Sequence, residues 1–149
     1  MEFDLKLIFD NFDLGYFGAN PVWFNMFETT GRPTNILSND GSRSLIFKNK
    51  GERKLTTKPF DLMYGGASLG FNMRYVYNSD NGVPDVSKAI GVELQYSLDD
   101  GLTWKRMAYY APRRNPQMLT DFVRVRVEVG GRNFKGVLSH STSFRWVQR

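Results

Sequence analysis

Cysteine is absent from this 149-residue chain, which excludes a disulfide framework and a thiolate metal site. Histidine occurs once, at His140, so no histidine cluster can hold a metal. There is no Asn-x-Ser/Thr sequon, which gives no support to a glycosylated animal ectodomain. Apolar runs stop after a few residues, far short of a membrane span. Met1 is followed by Glu2 and Asp4, not by a basic region and an apolar stretch, so no signal peptide is expected. Long helical periodicity is missing too, and with it the case for a helical bundle.

Charge is unbalanced only slightly. Twenty basic against fifteen acidic side chains leave a net +5. A nucleic-acid binder gathers its cations on one helix or stripe. Here they are scattered, at Lys48, Lys50, Arg53 and Lys54, at Arg113 and Arg114, and at Arg124 and Arg126. Solvated strand faces and loops explain them, and no nucleic-acid partner is expected.

Aromatics and glycine are plentiful, with 12 Phe, 7 Tyr, 3 Trp and 14 Gly. Together with short alternating runs they point to an all-β chain, folded as one domain over residues 1–149. Glu2 to Phe9 alternates and reads as a first strand, and Tyr16 to Phe27 as an extended aromatic excursion. Arg43–Lys48 and Arg53–Thr57 are short strands, and Phe60–Leu62 a brief one. Ser68 to Tyr77 places Leu69, Phe71, Met73, Tyr75 and Tyr77 on one face, which makes Tyr75 and Tyr77 core more readily than binding platforms. Ala111–Gln117, with two prolines, is a loop. Phe122 to Val129 alternates most cleanly, with four valines inward and Arg124, Arg126 and Glu128 outward. Thr142 to Gln148 turns Phe144 and Trp146 one way and Ser143, Arg145 and Val147 the other. Eight to ten such strands with turn chemistry between them make two packed antiparallel sheets, a β-sandwich of jelly-roll type.

Between the apolar runs Val92–Tyr96 and Trp104–Tyr109 lies Ser97-Leu98-Asp99-Asp100-Gly101-Leu102-Thr103-Trp104. The spacing S-x-D-x-G-x-T-W is that of the Asp-box hairpin. Asp99 can fold back onto the turn's N–H groups, Gly101 can take positive φ, and Trp104 is expected to return to the core, like Trp23 and Trp146. The motif specifies a corner of the fold and carries no chemistry of its own.

Further pieces follow in a fixed order. Gly51-Glu52-Arg53-Lys54-Leu55-Thr56-Thr57 runs into Phe60-Asp61-Leu62, then Leu69-Gly70-Phe71. Val92-Glu93-Leu94-Gln95-Tyr96-Ser97 feeds the Asp-box, and Thr142-Ser143-Phe144-Arg145-Trp146-Val147-Gln148 closes the chain. This ordered set, over residues 40 to 148 and more loosely from Phe9, resembles the subrepeat of reelin. The resemblance implies a jelly-roll module of the carbohydrate-binding-domain type that is not an enzyme. Such a module works by protein or glycan contact, often with a structural calcium ion at the sandwich rim. Unlike reelin proper, this sequence has no cysteines, which favours a phage virion component (fibre, baseplate or decoration protein) or a bacterial surface protein.

The reactive side chains support that view. His140 sits among Ser139, Ser141 and Ser143, but neighbours along a loop do not make a catalytic triad. Glu93 and Glu128 could face one cleft as a glycosidase pair; strand-face charges paired with Arg124 or Arg126 are commoner. Asp10, Asp13 and Asp61 are the candidate calcium ligands, with solvated turn residues as the commoner reading. The candidate ligand-binding set is Arg124, Arg126, Tyr110, Gln95 and Glu93, with Arg145 and the tyrosines at 75, 77 and 109 beside it. The expected role is a structural and adhesive unit at a virion or cell surface. Its partners would be proteins of a larger assembly, further copies of the chain among them; the alternative is recognition of a cell-surface glycan.

Overall fold

The computed structural model describes residues 52–63, 67–75, 90–130 and 139–149, and the backbone of 32–34 and 44–46. The expected first strand, the aromatic excursion, Asp10, Asp13, Trp23 and Tyr77 lie outside the described residues.

The described residues form strands and short turns with no α-helix. The strands are β1 (Arg32–Thr34), β2 (Ser44–Ile46), β3 (Arg53–Thr56), β4 (Ala67–Met73), β5 (Val92–Ser97), β6 (Lys105–Tyr110), β7 (Val123–Val129) and β8 (Ser143–Gln148). Strands β3-β8-β5-β6 make one antiparallel sheet, β4-β7 a second, and β1-β2 a short ladder. The expected loop at 111–117 contains two 3₁₀ turns, Pro112–Arg114 and Pro116–Leu119, each opening on a proline. Proline's fixed φ and missing N–H suit a first helical position.

Two sheets face each other because each has one apolar surface. Strand β7 turns Val123, Val125, Val127 and Val129 inward, Val129 fully buried and the others partly, and exposes Arg124, Arg126 and Glu128, as the period of two requires. It pairs with β4, setting Leu69 opposite Val127 and Phe71 opposite Val125. Facing them, Leu55, Trp146, Leu94 and Ala108 form one row across the larger sheet. Phe71 joins the layers, meeting Trp146 edge-on at 5.3 Å and Tyr110 at 5.7 Å between ring centroids. Tyr75 lies just past the end of β4 and is buried. Its N–H donates to the Met118 carbonyl and its hydroxyl to the Tyr110 carbonyl, tying β4, β6 and the second 3₁₀ turn together.

Strand β8 is less two-sided than its sequence. Ser143 and Val147, expected on an outer polar face, are buried along with Phe144 and Trp146. The strand is central, flanked by β3 and β5, so side chains from both neighbours crowd its outer face. Pro59 interrupts the β3–β8 ladder, which resumes as a bridge between Phe60 and Thr142.

Candidate functional site

The hairpin at 97–104 is closed by its own side chains. Asp99 Oδ1 accepts from the Thr103 N–H at 2.9 Å and the Ser97 hydroxyl at 2.8 Å; its Oδ2 accepts from the Thr103 hydroxyl at 2.5 Å. Ser97 Oγ in turn accepts from the Gly101 N–H at 2.9 Å. Asp100 (φ 56°) and Gly101 (φ 86°) make the left-handed bend, where glycine carries no Cβ penalty. Trp104 departs from expectation. It does not enter the core; it donates Nε1–H to the Gly101 carbonyl and lies half-buried on the outer face, 4.2 Å beneath the Arg145 guanidinium. Tyr96 packs against the core, whereas Trp104 is on the side of Arg145.

The bonds from Thr103, chiefly its hydroxyl, and from Ser97 hold Asp99 at a pKa of about 2, below the ordinary 3.8. A depressed carboxyl stabilises the fold above its unfolded pKa and loses that contribution as pH falls through the folded value. The margin in melting temperature of wild type over Asp99→Asn is therefore full above about pH 4 and shrinks toward pH 2. Thermal melts of both proteins across that range check it; a pH-independent margin would contradict it.

Away from the tip, the outer face of the larger sheet carries a chain of polar contacts. Register sets Lys54, Val147, Glu93 and Tyr109 in one row and Thr56, Arg145, Gln95 and Arg106 in the next. Arg145 donates to Gln95 Oε1 at 2.7 Å, and Gln95 donates to Glu93 Oε2 at 2.6 Å. Arg106 donates to Glu93 Oε1 at 2.5 Å, with Arg149 3.5 Å from the same oxygen. The Arg106 guanidinium, beside which Gln95 contributes less, holds the Glu93 carboxyl below the usual range. Arg106 also stands over the Tyr109 ring, 5.5 Å from its centroid. Ile90, Gly91, Glu93, Arg106, Tyr109, Val147 and Arg149 line a shallow dish of about 170 Å³.

The five side chains expected to bind together are not on one surface. Glu93 and Gln95 share the outer face with Arg145. Arg124 and Arg126 lie on the outer face of the other sheet, with Arg124 laid across Gly70 and Arg126 Nε 2.7 Å from Glu128. Tyr110 lies in the layer between the sheets against Phe71, where burial pushes its hydroxyl pKa up. Glu93 and Glu128 thus stand on opposite sides of the sandwich and share no cleft. Arg106, Arg149, Ile90 and Gly91 join the site without having been picked out of the sequence. Arg106 was hidden by a bulge: Leu94 pairs with Ala108 but Gln95 with Arg106, so Met107 is an extra residue. Strict alternation from Tyr109 would have turned Arg106 inward.

Asp61 and His140 meet at the far rim, Oδ2 to Nδ1 at 3.0 Å, and Asp61 Oδ1 accepts from the Met63 N–H. The His140 bond, then the Met63 bond, holds Asp61 below the ordinary carboxyl value. Beside them Ser141 donates to Asp100 Oδ1 at 2.7 Å, and Ser139 shares a hydrogen bond with Thr142. Calcium takes six to eight oxygens. No group of three or more acidic, histidine or cysteine side chains gathers among the described residues, and Asp61 brings one carboxylate already turned to His140. Of the three candidate calcium ligands, Asp61 alone lies among the described residues.

The ordered set now has a fold beneath it over its described residues: the edge strand β3, the facing strand β4, the β5–β6 hairpin and the central strand β8. The family model for reelin subrepeat B matches residues 31–149. The chain belongs to the reelin subrepeat B family. No curated protein matches it. As a reelin subrepeat it is a β-module of a larger protein, of a type typically extracellular, which fits an extracellular or surface setting.

Proposed function

We propose that this reelin subrepeat is a non-enzymatic structural and adhesive module of a larger surface or virion assembly, working through protein contacts. The jelly-roll path would supply the rigid body and the Asp-box corner its rigid tip. One observation carries the reading. Leu102 stands 84% exposed on a bend fixed by the Ser97, Asp99 and Thr103 bonds, with Leu98 exposed beside it. Scattered exposed apolar residues are ordinary, but a leucine held out on a locked turn has lost its freedom to turn away from water. A protein neighbour covering it recovers about 2 kcal/mol without having to order the turn's backbone first.

The outer polar face supports a role without catalysis. A glycosidase acid needs a raised pKa and a second carboxylate across the scissile bond. Glu93 is held low by Arg106, and Glu128 is on the other sheet. The cysteine-free sequence supports a phage particle or bacterial surface over a disulfide-built animal setting.

Leu102→Asp tests the proposal. Its melting temperature stays within a degree or two, because a solvent-exposed substitution shifts stability by roughly 0.5 kcal/mol at most. Retention of the module in its assembly falls at least about tenfold, the worth of 1.4 kcal/mol. A photo-crosslinking amino acid at position 102 of the intact assembly links to a neighbouring protein. Full retention of Leu102→Asp, with no protein crosslink from position 102, would overturn the reading.

A further inference from the structure

We propose that the dish beside Tyr109 is a carbohydrate site taking one hexopyranose unit of a cell-surface glycan. It lies at the opposite end of the β5–β6 hairpin from Leu102, so it is a second surface, independent of the protein contact above.

The floor is a fixed ring. Tyr109 is 46% exposed, yet its hydroxyl accepts from the Gly91 N–H at 3.2 Å. The ring occupies space that a side chain at residue 91 would fill: a Cβ there would sit 2.6 Å from the Tyr109 Cζ. Glycine therefore lets the phenol lie down across β5, and the aromatic surface is oriented before any ligand arrives. A pyranose has one face of C–H groups, which packs on such a ring, and a rim of hydroxyls that each donate and accept.

The rim supplies both partners. Glu93 accepts three hydrogen bonds, from Arg106, Arg149 and Gln95, and a carboxylate has about four lone-pair positions. Arg106 and Arg149 are each more than half exposed, and a guanidinium carries five N–H donors in a planar fork that suits adjacent hydroxyls. Ile90, half exposed, closes one side with an apolar wall. At about 170 Å³ the dish is well under the ~300 Å³ at which drug-sized pockets begin, so it fits one ring and leaves the rest of a chain in solvent.

The probes are the methyl glycosides of glucose, galactose, mannose, N-acetylglucosamine and glucuronic acid at tens of millimolar, the range a millimolar single-unit affinity needs. Amide shifts are followed by ¹H–¹⁵N NMR, and a glycan array screens longer chains. At least one glycoside shifts Ile90, Gly91, Glu93 and Tyr109 saturably. Tyr109→Ala and, independently, Arg106→Ala lower that affinity at least about tenfold, while Tyr109→Phe stays within about threefold and Leu102→Asp changes nothing. The spectrum away from the dish verifies that each variant is folded. The proposal is overturned by any of three results: no glycoside or array glycan moves these signals, binding maps to the Arg124–Arg126 face, or it survives both alanine variants.

Discussion

Leu94→Ala is expected to remove about 3–5 kcal/mol of stability, lowering the melting temperature by roughly 10 °C or more. Leu94 is fully buried, at 0% exposure, and β5 is flanked on both sides, so Trp146 and Ala108 hold it in register. The facing layer, β4 and β7, is itself a β-pair whose Phe71 is committed to Trp146 and Tyr110. Three sides of the cavity are thus strands, which cannot close in as a loop would, and the upper part of the Leu→Ala range applies. A domain of this size has some 5–15 kcal/mol to lose, so the variant stands near its unfolding threshold. In urea the midpoint falls while the slope is unchanged, since the surface exposed on unfolding is nearly the same. A shift under about 1 kcal/mol would mean that the two sheets do not meet at Leu94.

That expectation rests on a packing only partly written in the residue order. The β7 valines are read directly, because a strand with one face in solvent enforces a period of two. The 97–104 corner is read directly too: its stabilising bonds join residues two to four apart, so the local sequence contains the whole interaction. Strand order is a different kind of fact. Arg53 pairs with Gln148 and Glu93 with Val147, and nothing local in either partner announces the other. The burial of Ser143 and Val147 follows from that order, since only a central strand is crowded on both faces.

The binding surface was legible to the same extent. Glu93, Gln95 and Arg145 alternate correctly and do share a face. Arg124 and Arg126 alternate equally well, but alternation assigns a residue to a side of its own strand, not to one of two sheets. Tyr109 and Tyr110 are adjacent and therefore opposed; only the sheet's position decides that Tyr109 is outside and Tyr110 against Phe71. Arg106 required knowing of the Met107 bulge, whose cause lies in how β6 meets β5.

Gly91→Ala is expected to cost about 3 kcal/mol, the top of the overpacking range, although only one methyl is added. No left-handed backbone is involved: the described positive-φ glycines are Gly101 and Gly130. The obstacle is space. The new Cβ would lie 2.6 Å from the Tyr109 Cζ and closer still to the Tyr110 carbonyl oxygen. A tyrosine ring can swing away; a β6 carbonyl cannot without breaking its ladder, and that same carbonyl receives the Tyr75 hydroxyl. The two obstacles separate in a double-mutant cycle with Tyr109→Ala. Removing the ring relieves the side-chain collision and leaves the backbone one, so the cost of Gly91→Ala falls by about 1 kcal/mol without vanishing. Urea unfolding of the four proteins reads both quantities. Full relief in the Tyr109→Ala background would show that only the ring is in the way, and no relief would show that Tyr109 does not lie over Gly91. In the second case the aromatic floor of the dish would be absent, so this stability cycle, run without any sugar, bears on the ligand as well as on the fold.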